Sequence, residues 1–182
     1  MAGRIVFGGV AASATGPVHS TFGPVTPVAP HRFHGGDEAE DVLQPSPSEW
    51  WDGDAAIGRH VEAMKTSFPG FLYLDPGEDS CPAWGGFIDT GRGKFEVLIV
   101  LRRDRGLPRV IVMNHRMGVN AGRRWQKPPH LFNNGNLCVA DDSDWNPDQH
   151  TAATVTAWAA HWLAAYSEWR LGLPPVWLTP DL

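Results

Sequence analysis

The chain has 182 residues, 42% of them hydrophobic, and a formal charge of −5, which suits one folded domain with a real core plus a tail. That acidic balance excludes a general nucleic-acid binder, for which a basic domain is expected, and no apolar run is long enough to span a bilayer. The two cysteines, Cys81 and Cys138, without a secretion signal read as reduced thiols of a cytoplasmic protein rather than a disulfide framework.

Residues 1–46 are rich in Gly, Pro, Ser and Ala, with an acidic patch at Asp37, Glu38, Glu40 and Asp41. No period of 2 or 3.6 is sustained there, so little apolar surface is buried to offset ordering entropy, and a disordered tail is expected. Glycines interrupt its opening apolar run, which reads as the start of the tail and not as a signal peptide. His31 and His34 lack further ligands nearby and read as polar linker residues, with no metal implied.

The folded domain is expected over 47–182. Ser48 is the expected N-cap of a helix over 48–68, with Glu49, Asp52 and Asp54 favourable at its positive end. Trp50, Ile57, Val61, Met64 and Phe68 share one helical face, and Pro69-Gly70 stops the helix. Strands are expected at Phe71–Leu74, Trp84–Asp89, Phe95–Leu101 and Arg109–Met113, joined by Gly-, Pro- and Asp-containing turns as an antiparallel meander. Cys81, between an acidic turn and Pro82, reads as structural or incidental. Arg102, Arg103, Arg105, Arg109, Arg116, Arg123, Arg124 and Lys127 share a segment whose only acid is Asp104. They are either solvated strand faces and turns or a docking face for an acidic partner or tail.

Residues 114–130 show no clear period. The closing helix has Asp148 or Thr151 as cap and a Val155, Trp158, Trp162, Tyr166, Trp169 stripe at core spacing. Gly172 and Pro174-Pro175 end it. The order is helix, four-strand meander, long loop, Trp-rich helix, an α+β fold.

The chemistry gathers in Pro128-Pro129-His130-Leu131-Phe132-Asn133-Asn134-Gly135-Asn136-Leu137-Cys138-Val139. A lone cysteine is most often a small buried hydrophobe. Here Asn133 to Asn136 favour a surface turn, which leads us to expect the thiol near solvent, with His130 in reach as donor or base. Asp141, Asp142, Asp144 and Asp148 follow. Carboxylates disfavour a thiolate, so the setting is not that of a protease-like thiolate–imidazolium pair. It suits a thiol that accepts an acyl group from another thioester and presents it to an amine, with Asp141 and Asp142 available to help deprotonate that amine.

Gly135, Leu137-Cys138 and Trp145-Asn146-Pro147 resemble the active-site segment of the ubiquitin-conjugating enzyme (UBC) superfamily. His130, Phe132, Gly135, Leu137 and Cys138 are similar to the His-x-aromatic-x-x-Gly-x-Leu-Cys segment of its bacterial members, and Trp162-Leu163, Tyr166, Trp169, Gly172 and Pro174 to their closing helix. The resemblance covers about residues 48–178 and implies a UBC-like fold. It further implies a conjugating enzyme that carries a protein C-terminus on Cys138 as a thioester and transfers it to an amine, without a cofactor. Bacterial relatives serve largely in anti-phage defence, notably cyclic-oligonucleotide signalling (CBASS) systems. The partners implied are an activating enzyme or a CBASS nucleotidyltransferase, with or without a separate activating enzyme, and the C-terminal tail of a ubiquitin-like protein or of that nucleotidyltransferase. Most eukaryotic members carry His-Pro-Asn before the Cys, the Asn being associated with the oxyanion. This chain has His130-Leu131-Phe132, which makes His130 the candidate for that contact and Asn133, Asn134 and Asn136 its rivals. The first helix is rich in acids where many members dock the activating enzyme with basic residues, so the Arg-rich segment is the alternative dock. A catalytically silent UBC-like scaffold and a cysteine hydrolase remain as other readings.

Overall fold

The computed structural model describes residues 50–77 and 80–172, His31 and Phe33, and the backbone of residues 19–20 and 23–24. β1 (His19–Ser20) and β2 (Gly23–Pro24) form a short antiparallel pair. The rest of the expected tail, its boundary at residue 46, and His34, Ser48 and Pro174-Pro175 lie outside the described residues.

The first helix begins later than residue 48. A 3-10 turn covers Trp50–Asp52, and α1 spans Asp54–Ser67 with Gly53 at its N-cap in extended backbone. The cause is tertiary. Trp51 is buried, and Trp50 donates its indole N–H to the Arg102 carbonyl at 2.7 Å. Trp50 thus ties the chain to Arg102, and Trp51 is enclosed, before the helix starts. Met64 and Phe68 are buried, and Ile57 and Val61 pack partly buried against the same core, as their spacing requires. His60 joins them, 3% exposed and stacked on Trp84 with centroids 6.3 Å apart.

The sheet is the expected meander of β3 (Leu72–Leu74), β4 (Ala83–Asp89), β5 (Lys94–Val100) and β6 (Arg109–Val112), antiparallel throughout in the order β3-β4-β5-β6. Its register sets Tyr73 opposite Trp84, Trp84 opposite Ile99 and Ile99 opposite Val110. Trp84, Ile99 and Val110 are all buried, so one line of side chains runs across the sheet into the core. Along β5, Phe95, Val97 and Ile99 face inward while Lys94 and Glu96 are exposed, the alternation of a strand covered on one side.

Residues 114–130, which show no period in the sequence, contain a hairpin of β7 (Val119–Ala121) and β8 (Arg124–Gln126). Gly118 precedes it at φ 141°. A Cβ there would meet the Trp125 indole at 2.5 Å, so only glycine fits. The Tyr166 hydroxyl fastens this excursion to the closing helix. It accepts the Gly118 N–H at 3.1 Å, donates to the Gly118 carbonyl at 3.2 Å, and lies 3.0 Å from His115 Nε2.

The closing helix, α2, spans Ala152–Arg170. Thr151 is its N-cap, and the Thr151 N–H donates to Thr154 Oγ1 at 3.2 Å. Asp148, the rival cap, instead pairs with Arg105. His60 Nδ1 accepts the Ala152 N–H at 3.0 Å, which ties the first turn of α2 to α1. Val155, Trp158, Trp162 and Tyr166 are wholly buried and Trp169 partly so. Each buried aromatic removes roughly 150–250 Å² from water, on the order of 4–6 kcal/mol at the usual area coefficient. Ala157, Ala159, Ala160 and Ala165 are buried too, so α2 is enclosed on more than one face. Its small residues allow close approach to its neighbours. Gly172, at φ 73°, closes the end with its N–H on the Trp169 carbonyl at 2.9 Å. No described helix is long and apolar enough to cross a membrane.

Candidate active site

The loop before Cys138 is a tight turn stitched at its base. Leu131 and Leu137 form an antiparallel bridge, the Phe132 N–H donates to the Asn136 carbonyl at 3.0 Å, and the Gly135 N–H to the Phe132 carbonyl at 2.9 Å. Gly135 sits at φ 91°, a conformation that glycine adopts without strain. The Asn134 side chain accepts the Asn136 N–H at 3.0 Å. Asn133, Asn134 and Gly135 are exposed, as a surface turn should be. The chain then dives inward, and the Leu137 N–H donates to the Val110 carbonyl at 2.9 Å, which joins the loop to the edge of β6.

Cys138 and His130 are brought together through the backbone. The Cys138 N–H donates to the His130 carbonyl at 3.1 Å, and Trp162 of α2 donates its indole N–H to the same oxygen at 2.9 Å. His130 sits at φ 56°, the left-handed region rarely occupied by a residue with a side chain. The two bonds on its carbonyl hold that conformation. The expectation of a thiol near solvent is wrong: Cys138 is 0% exposed, and its Sγ lies 4.0 Å from the Ala140 carbonyl. The turn residues place Asn133–Gly135 at the surface, but the bridge of Leu131 to Leu137 returns the chain to the core one residue before the cysteine.

The other predicted site residues take separate places. Asn133 Oδ1 is 3.4 Å from Lys127 Nζ on the exposed side of the turn, while Asn136 is buried beside Leu137. Asp141 uses a carboxylate oxygen to accept the Ser143 N–H at 2.8 Å, capping a 3-10 turn over Asp142–Asp144. Asp142 is exposed. Trp145-Asn146-Pro147 anchors the chain after the site. Trp145 donates its indole N–H to the Arg105 carbonyl at 2.8 Å, and Arg59 of α1 donates to the carbonyls of Pro147, Asp148 and His150.

The basic segment divides in two. Arg102 is buried and grips Asp104 through two bonds of 2.9 and 2.6 Å, which hold the Asp104 carboxyl below its ordinary range. Arg105 pairs with Asp148. These two build the fold. Around the hairpin, Arg116 lies over the Trp125 ring, and Arg116, Arg123, Arg124 and Lys127 are exposed. A cleft of about 400 Å³ runs from Ile111 and Val112 past Arg116, Trp125 and Lys127 to the Phe132–Asn136 turn.

Sequence reasoning missed the aromatic cluster beside His130. The Phe33 ring lies 5.5 Å from the His130 ring and 5.3 Å from His161 of α2, and His31 lies 5.2 Å from Trp158 and 5.3 Å from His161. Burial, with His31 adding to it, pushes the His161 pKa down to about 4. His60 is likewise pushed down to about 4, by burial first and then by Arg59 and Arg105. A histidine one turn before Met64 on an apolar face was the available signal for His60. For Phe33 and His161 no local pattern gave one. Among the described residues no group of three or more His, Cys, Asp or Glu is placed to hold a metal ion.

Fold and site are those of an α+β protein with one thiol held behind a tight turn and backed by an aromatic helix. The chain belongs to the Type II CBASS E2 protein family, E2-CBASS, whose family model matches residues 60–180. It is an E2-like protein associated with CBASS defence. The match takes in most of α1, the sheet, the Cys138 loop and α2. No curated protein and no solved structure matches the chain.

Proposed function

We propose that this chain is a cytoplasmic conjugating enzyme of the UBC type that carries a protein C-terminus on Cys138. The observation that carries the reading is the junction of Cys138 and His130 on one carbonyl, fixed by Trp162, in a chain of the E2-CBASS family. In the first step the Cys138 sulfur attacks the acyl carbon of an activating enzyme's thioester. A new C–S bond forms, the old one breaks, and the donor leaves as a thiol that takes the Cys138 proton. In the second step an amine attacks the Cys138 thioester, an amide forms, and Cys138 is restored as a thiol once the amine's proton is lost. Asp141 or Asp142 is the carboxylate nearest in sequence to receive that proton.

The passenger is a ubiquitin-like protein or the nucleotidyltransferase of the CBASS system, held by its C-terminal tail. The exposed cations Arg116, Arg123, Arg124 and Lys127, beside the cleft that ends at the Phe132–Asn136 turn, support docking there of an acidic partner or tail. His130, at φ 56°, is the group proposed to stabilise the oxyanion of each tetrahedral intermediate, with Asn133, Asn134 and Asn136 the rival amides. Cys138→Ser should trap a longer-lived oxyester in cells and Cys138→Ala should carry no adduct. An adduct that persists on Cys138→Ala refutes the proposal.

The complete burial of Cys138 favours one other reading, a catalytically silent UBC-like scaffold. That reading requires that Cys138 stay unreactive toward a mild alkylating agent in every folded variant.

A further inference from the structure

A cavity of about 340 Å³ opens between the first turns of α1, the turn that joins β5 to β6, and the Trp145-Asn146-Pro147 segment. None of its lining residues comes from the Cys138 loop, and the acyl transfer proposed for Cys138 makes no use of it. Its size is that of a small-molecule site. Trp50 and Trp145 stand in its wall, each with its indole N–H bonded to a carbonyl, that of Arg102 at 2.7 Å and that of Arg105 at 2.8 Å. What the two indoles offer the cavity is therefore apolar ring surface, held in place before anything binds. Leu101, Pro108 and Pro147 extend the apolar wall.

The polar lining is all of one kind. Among the described residues the ionisable groups that line the cavity are Arg59, His60, Arg102 and Arg105, with no acid beside them. Asp104 and Asp148 offset Arg102 and Arg105 from outside the lining. Arg59 differs, because it bonds to the carbonyls of Pro147, Asp148 and His150, which do not cancel its charge. His60 adds a buried donor. It is 3% exposed, and its Nδ1 accepts the Ala152 N–H at 3.0 Å, which leaves the ring proton on Nε2. Among the described residues nothing accepts that proton, and a buried N–H calls for an acceptor. Burial, with Arg59 and Arg105, pushes the ring's pKa down to about 4 and keeps it neutral. The same two guanidiniums set up a field at His60 that favours an anionic acceptor.

We propose that this cavity binds a small molecule with a flat apolar ring and one anionic oxygen group, a carboxylate in the simplest case. The ring lies against Trp50 and Trp145, and an oxygen of the anion accepts the His60 Nε2 proton within the field of Arg59. Such a ligand touches α1, the β5–β6 turn and the segment after Cys138 at once, so it binds the folded chain and stabilises it. The site stands whether or not Cys138 carries an acyl group.

The test titrates the full-length chain at about pH 7.5 with benzoate, phenylacetate and indole-3-acetate, and with the matching uncharged amides. Binding is followed by calorimetry and by the ring nitrogen resonances of His60. At least one acid should bind saturably with a Kd on the order of 1 mM or tighter, as suits ligands of this size. Binding should shift the His60 Nε2 resonance, and the matching amide should bind at least roughly tenfold more weakly, a loss of about 1.4 kcal/mol. Ala56→Leu, at an exposed lining position of α1, should fill the cavity and abolish binding with the melting temperature retained. Ala55→Leu, at the neighbouring lining position, decides the matter if that variant does not fold. No saturable binding of any of the three acids, the result if water alone fills the cavity, overturns the proposal. So does equal binding of acid and amide, binding that leaves the His60 resonances in place, or binding undiminished in a folded variant.

Discussion

Stability at mildly acidic pH should hinge on His60. In the folded chain its ring is 3% exposed between Trp50 and Trp84, and its Nδ1 accepts the Ala152 N–H at 3.0 Å. Burial first, and then the charges of Arg59 and Arg105, push the pKa from 6.5 down to about 4, and a proton on Nδ1 also abolishes that bond. In the unfolded chain the imidazole takes its proton near pH 6.5, whereas the folded chain resists it down to about pH 4. Between those values the unfolded state binds more protons, so stability falls as pH falls through the window and is unaffected by this group above it. The two pKa values correspond to about 3 kcal/mol lost across the window from His60 alone. His60→Gln keeps an acceptor for the Ala152 N–H but does not titrate. Urea unfolding at a series of pH values from 7.5 down to 4 should therefore show wild type losing about 3 kcal/mol more than the variant. Parallel pH profiles for the two proteins, or a His60 ring resonance titrating near its ordinary value, would refute the reasoning.

Two further substitutions test how residues 114–130 are held. Tyr166→Phe removes the hydroxyl that bonds both Gly118 backbone groups and His115, which should cost about 1–2 kcal/mol and speed hydrogen exchange of the Gly118 amide; unchanged exchange contradicts the anchoring role. Gly118→Ala puts a Cβ 2.5 Å from the Trp125 indole at a φ of 141°. It should cost about 1–3 kcal/mol of stability, read by urea unfolding; unchanged stability contradicts it.

The meander and the closing helix were legible because their signals are local and repeated. The alternation along Phe95, Val97 and Ile99 and the spacing of Val155, Trp158, Trp162 and Tyr166 each report a buried face directly. The hairpin escaped because three-residue strands are too short to show a period, although Gly122 between Ala121 and Arg124 was a turn signal. The helix start at residue 48 was drawn from capping preference, which the docking of Trp50 and Trp51 overrides. At the site, composition located the turn but not the direction of the chain leaving it. The step inward at Leu137 is set by bonds to Val110 and Leu131, partners that local sequence does not name. The contact of Phe33 with α2 is wholly tertiary, and a segment without periodicity carries no trace of it.

The central claim is that Cys138 carries an acyl group, and the intact mass of the protein tests it most directly. Wild type and Cys138→Ala are isolated from their native cells without reductant and weighed before and after a thiol reductant. The account predicts a protein-sized adduct on wild type that the reductant removes, and none on Cys138→Ala. An adduct that survives the reductant, or that Cys138→Ala carries equally, contradicts it.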